Sequence, residues 1–146
     1  MKIFFKQIEN IKLVSEFKLR EDSNNKDSYI FNYRDVTFTA LQITKPDLTL
    51  SRISLGLNAE GLLNKVGINK ILEEINSFNR RISTIKIVMQ KTEDSNVFFR
   101  FSVEFPISDE LFNKIDLEPS IKLIMASSKV LIADLLDEEV PEDDIY

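Results

Sequence analysis

Between Ile68 and Phe105 the spacing of apolar residues changes once, from three-and-four to two, and this change constrains the fold more than any other feature of the chain. At 100° per residue, Ile68, Ile71, Leu72, Ile75, Phe78 and Ile82 fall in one arc, while Lys70, Glu73, Glu74, Ser77, Arg80 and Arg81 face the other way. That pattern predicts an amphipathic helix docked on a core. The helix is expected to begin nearer Asn58, although Gly61 and Gly67 weaken that first part, since glycine is a poor helix former. After the helix, Ile85, Ile87 and Met89 alternate with Lys86, Val88 and Gln90. Beyond the polar turn TEDSN, Val97, Phe99, Phe101, Val103 and Phe105 alternate with Phe98, Arg100, Ser102 and Glu104. Two half-buried strands joined by a short polar loop read as an antiparallel hairpin.

Upstream, YIFNY, VTFTALQI and RISLGL predict three more strands, separated at Arg34/Asp35 and at Pro46/Asp47. Their inward sets are Val36, Phe38 and Ala40, then Ile53, Leu55 and Leu57. The N-terminal segment fits a helix through Phe4, Ile8 and Ile11, followed by a short strand in SEFKLRE. Towards the other end, Ser108 offers an N-cap for a short helix opened by Asp109 and Glu110. Pro119 then opens a final helix. That helix carries a core stripe of Ile121, Ile124, Met125, Ser128, Leu131, Ile132, Leu135 and Leu136, and a second stripe of Leu123, Ala126, Val130 and Ala133 on its far side. The expectation is an α+β protein: a single antiparallel sheet of about five strands with helices mainly on one face, in the order α-β-β-β-α-β-β-α.

Two asparagines interrupt the end of the long helix. Asn79 falls inside the apolar arc and Asn76 at its border, so Asn79 is expected at least partly buried, with its amide tying the helix end to the following strand.

Composition narrows the function. The 146 residues contain no cysteine and no histidine, which removes thiol nucleophiles, disulfides, imidazole bases and the usual zinc ligands. No metal and no cofactor is expected, and no catalytic residue. Gly56, Gly61 and Gly67 form no phosphate loop or dinucleotide fingerprint. Glu73/Glu74 lie on a solvent face, and Asp109/Glu110 complement a helix start. Ser127, Ser128 and Lys129 are consecutive on a helix, where side chains diverge too far for a dyad. The net charge of −5 sits in DEEVPEDDIY (137–146), which has six acids; the remainder has 18 acids against 19 bases. We therefore divide the chain into a single domain over 1–136 and an acidic, disordered tail over 137–146. Arg80, Arg81, Lys86 and Arg100 do not extend into a basic stripe, so nucleic acid is not expected as a partner. No segment has the length of a signal peptide's apolar core or a membrane helix, which points to a cytoplasmic protein with no membrane contact.

The segment INSFNRRISTIKIVMQ, with its Asn-x-x-Asn pair, followed by VFFRFSVEFPIS and a helix-rich end, resembles the YbjN-type domain family, which has a type III secretion chaperone-like fold. The resemblance spans residues 50–135. It implies an α+β domain, often dimeric, whose relatives act as chaperones or regulators by binding other proteins, and it brings no catalytic residues.

The function expected is a non-enzymatic protein-binding module, a homodimer with a protein partner. The alternative is a small immunity or phage-encoded accessory protein that also acts by binding. Candidate contact residues are the second stripe of the last helix (Leu123, Ala126, Val130, Ala133), which is either sandwiched or shared with a partner, and the aromatics Tyr29, Phe31, Tyr33 and Phe98, which read equally well as an edge strand packing its rings under the N-terminal segment. The outward sheet face (Thr37, Thr39, Arg52, Ser54, Lys86, Val88, Arg100, Ser102, Glu104) is expected to be wet.

Overall fold

Arg34 (φ 48°) and Asp35 (φ 64°) both take left-handed backbone, the combination that closes a two-residue hairpin whose twist matches its strands. The hairpin is made by β2 (Ser28–Tyr33) and β3 (Val36–Lys45), with Tyr33 opposite Val36. A second two-residue turn, Pro46-Asp47, joins β3 to β4 (Leu48–Ala59), with Lys45 opposite Leu48. Pro46 and Asp47 thus form the turn that the sequence signals. The computed structural model describes residues 1–20, 27–91 and 96–137. Most of the acidic tail, 138–146, and most of the TEDSN turn lie outside the described residues.

The other elements are α1 (Ile3–Glu9), β1 (Val14–Leu19), α2 (Leu62–Val66), α3 (Ile68–Arg81), β5 (Lys86–Lys91), β6 (Val97–Phe105), a 3₁₀ helix (Asp109–Lys114) and α4 (Glu118–Leu135). They form one antiparallel six-stranded sheet in the order β1-β2-β3-β4-β6-β5. The α+β class and the antiparallel sheet agree with the sequence reading; the strand count rises from five to six because β1 joins at the edge. Glu16 in β1 is left-handed (φ 53°) and the register shifts between Ser15 and Lys18. This bulge breaks strict alternation, which explains the weak strand signal. The long helix begins at Ile68 and not near Asn58, because Gly67 (φ 88°) separates it from the short α2. Among the described residues, no helix is long and apolar enough to cross a membrane.

The chain divides into two compact units, residues 1–54 with 103–121, and 55–102 with 122–146. In the first, Phe5 and Phe17 lie against Tyr29 at 4.5 and 4.8 Å between ring centres, and Phe31 stacks on Phe38 at 5.5 Å. Phe4 meets Phe112 at 4.8 Å, and Phe105 meets Phe112 edge-on at 5.6 Å. In the second, Ile71, Ile75 and Phe78 of α3 are buried, as are Ile87, Phe99 and Phe101, with Ile87 opposite Phe101 and Met89 opposite Phe99.

Asn79 departs from expectation in its exposure. Seven residues along a helix return to nearly the same direction, so Asn79 projects beside Leu72, which is 42% exposed. Both sit on the solvent side of an arc that buries only Ile71, Ile75 and Phe78. The carbonyl of Asn79 nevertheless accepts the Ile87 N–H at 3.3 Å. β5 is the outer strand of the sheet, and this N–H is one that no neighbouring strand takes. Asn79 thereby masks a donor that an open sheet edge would offer to another chain. We expect Asn79→Ala to cost about 0.5–1.5 kcal/mol, the usual worth of a partly exposed hydrogen bond. Asn76→Ala should be neutral or slightly stabilising through helix propensity. Urea unfolding of both variants decides the matter; a larger loss for Asn76→Ala would refute the assignment.

Candidate functional site

Asp109 is a heavily bonded carboxylate. It accepts the N–H groups of Ile3 at 2.8 Å and Phe4 at 3.1 Å, and the Gln42 amide at 3.0 Å. α1 begins after Lys2, which supplies no capping side chain, so an acid 106 positions away takes that role. Gln42 is fully buried and also donates to Ser51 at 2.9 Å. Burial pushes the Asp109 carboxyl up, but the Gln42, Ile3 and Phe4 hydrogen bonds and the charge of Lys2 outweigh it, leaving the group below its ordinary value. Such a carboxylate stays ionised and is a weak proton acceptor. It anchors the start of α1. The sequence reading gave Asp109 to the start of its own short helix; that helix is 3₁₀, and Ser108 makes no side-chain cap.

Next to this anchor lies a surface cleft of about 390 Å³. The β3–β4 turn forms one wall through Lys45, Pro46, Asp47 and Leu48. Pro106, Ile107 and Ser108 form the other. Leu48 is 50% exposed, and both prolines are exposed and lack a backbone N–H. The cleft offers the apolar surface of Leu48 and Ile107 beside the polar groups of Thr44, Lys45, Asp47, Thr49 and Ser108. The sequence shows the turn but not the recess, because the opposite wall comes from a segment about 60 residues away.

The candidate contact residues are scattered. Phe31 and Tyr33 are fully buried, and Tyr29 is half-buried between Phe5 and Phe17. These aromatics are therefore core, because α1 and β1 cover the side of β2 that looked open. Burial, then the charge of Glu118, raises the Tyr33 phenol, with Arg34 opposing. On α4, Ala126 (7% exposed) and Ala133 (5%) are buried within the chain, which corrects their reading as an open stripe: the face they mark is already covered. Leu123 and Val130 remain half-exposed. Ser127, not Ser128, is the buried serine, and the Ser128 hydroxyl donates to the Met125 carbonyl at 2.8 Å. Phe98 is half-buried, with its ring lying where a Cβ on Gly56 would stand, 2.8 Å away.

The outward sheet face is not uniformly wet. Ser102 is fully buried, and Arg52, Arg100 and Glu104 are half-buried. Arg52 pairs with Glu104 at 3.0 Å. Among the described residues, no group of three or more acidic, histidine or cysteine side chains could hold a metal ion.

No known family's sequence profile matches the chain, and no curated protein matches it. Solved structures do. YbjN from E. coli superposes with a TM-score of 0.49 at 11% identity, covering 94% of this chain and 93% of that one. An uncharacterized protein from Methanothermobacter thermautotrophicus superposes with a TM-score of 0.60 at 15% identity, covering 92% of this chain and 95% of that chain. At that identity the likeness to the archaeal protein is one of fold.

Proposed function

We propose that the protein is a non-enzymatic, cytoplasmic protein-binding module, chaperone-like or regulatory in its action. The observation that carries this reading is the cleft beside the β3–β4 turn, whose walls present Leu48, Ile107, Pro46 and Pro106 to solvent. A recess that mixes Leu48, Ile107 and the two prolines with Thr44, Lys45, Asp47, Thr49 and Ser108 suits the mixed apolar and polar contacts of a partner. The one strongly bonded carboxylate nearby is spent on anchoring α1, which favours binding over acid–base chemistry.

The test is affinity capture from the native host with the wild-type chain and with Leu48→Glu. Leu48 is half exposed, so the change should leave stability within about 0.5 kcal/mol. Wild type should retain a discrete partner that Leu48→Glu loses at an unchanged melting temperature. Retention of the same protein by both would rule out the cleft.

Self-association is part of the proposal, through the half-exposed pair Leu123 and Val130. Light scattering should give twice the chain mass, and replacing both residues by Asp should return it to the mass of one chain. A wild type that scatters as a monomer would remove this element of the reading.

A further inference from the structure

One flank of α3 is open to water along its whole length. Asn69, Leu72, Glu73, Asn76, Asn79 and Arg80 are all exposed, Leu72 at 42%. The other flank is engaged within the chain, where Lys70 pairs with Asp137 at 3.0 Å and Arg81 lies 3.9 Å from Asp134. Seven residues along a helix return to nearly the same direction. Asn69 and Asn76 therefore run down the middle of the open flank, with Glu73 and Arg80 along one side and Leu72 and Asn79 along the other. Glu73 and Arg80 stand two turns apart, about 10 Å at 1.5 Å per residue, which is too far to pair on one helix. Among the described residues neither has an ion pair.

We propose that this flank docks antiparallel on the same flank of a second copy of this chain. Charge complementarity selects that occupant. A two-fold axis beside Asn76 reverses the direction of the helix while keeping each side of the flank on its own side, so Glu73 meets the Arg80 of the second copy and Arg80 meets its Glu73. Asn76 then faces Asn76, where two amides can bond each other, and Leu72 lies against Asn79 and loses water. The contact is self-complementary, as a two-fold interface requires. Exposed ion pairs contribute little individually, and one leucine per copy adds a small apolar area. The contact is thus weaker than a standard interface and forms in concentrated protein, with a Kd of about 0.1–1 mM. It uses a different face from the Leu123–Val130 contact on α4 and needs no part of that reading. In the dilute solution that tests Leu123 and Val130 it stays open.

The test is sedimentation equilibrium of the full-length chain from about 20 µM to about 1 mM, a range that brackets the expected Kd. The mass of the wild type should rise across this range, and salt at about 0.5 M should suppress the rise by screening the pairs. Glu73→Arg and Arg80→Glu, both on exposed side chains that leave folding intact, should each weaken the association at least fivefold, because like charges then meet twice. Mixing the two variants in equal amounts should restore the rise, since each base again meets an acid, and so should the double variant. The rise should persist when Leu123 and Val130 are both replaced by Asp, starting there from the mass of one chain. A wild type whose mass stays constant, single variants that associate like wild type, or a mixture and a double variant that both stay apart would each overturn the proposal. Loss of the rise in the Leu123/Val130 variant would place the contact on α4 and overturn it too.

Discussion

Asp109→Ala is expected to destabilise the protein by about 2–4 kcal/mol, because it strips acceptors from three donors at once, with the buried Gln42 amide the most exposed to the loss. Guanidinium unfolding should show a lower midpoint with an unchanged slope. Asp109→Asn keeps one carbonyl oxygen and should lose roughly half as much. The same site predicts a pH dependence. The folded carboxyl titrates below its ordinary value of 3.8. Its contribution is therefore fully present above the unfolded value, near pH 4, and is lost as pH falls through the lower folded value. Wild type should lose stability over that acid window more steeply than Asp109→Asn. Parallel curves would show that the charge on Asp109 contributes nothing.

Phe31→Ala should cost about 3–5 kcal/mol, the usual penalty for emptying a buried aromatic site. Phe31 is inaccessible to solvent and stacked on Phe38, with Phe17 alongside at 6.1 Å. That is a large share of the 5–15 kcal/mol that typically holds a domain folded. Phe98→Ala should cost clearly less, since the ring is half-buried and lies over a glycine with no side chain of its own. Thermal and urea unfolding of the two variants separate them. If Phe31→Ala stayed within 1 kcal/mol of wild type, or cost less than Phe98→Ala, the assignment of Phe31 to the core would fail.

These two residues also mark where sequence reading ends. Alternation put Phe38 in an inward set and grouped Phe31 with Tyr29 and Tyr33 as contact candidates, yet Phe31 and Phe38 stand directly opposite each other. A period names a face without naming what covers it, so Tyr29, Phe31 and Tyr33 read equally well as surface or core. The stripe on α4 was equally open; Ala126 and Ala133 are buried, while Leu123 and Val130 stay half-exposed.

Local chemistry alone determined the elements whose causes are local: the amphipathic α3, the β5–β6 alternation, the Pro46-Asp47 turn and the absence of cysteine and histidine chemistry. The bulge at Glu16 weakened the signal of β1, so SEFKLRE read as a short strand but was left out of the five-stranded sheet, because one left-handed residue shifts the register and breaks the period. What only the tertiary structure decided are pairings across long stretches of chain: Asp109 with the start of α1, Phe98 over Gly56, and the wall opposite Leu48. Arg100 and Ser102 were placed on a wet face by their parity, and only the packed hairpin buries their donors. The physical reason is that backbone hydrogen bonding and side-chain period act over a few residues. A cap or a cleft wall depends on which distant segment arrives beside it, and no local pattern encodes that arrival.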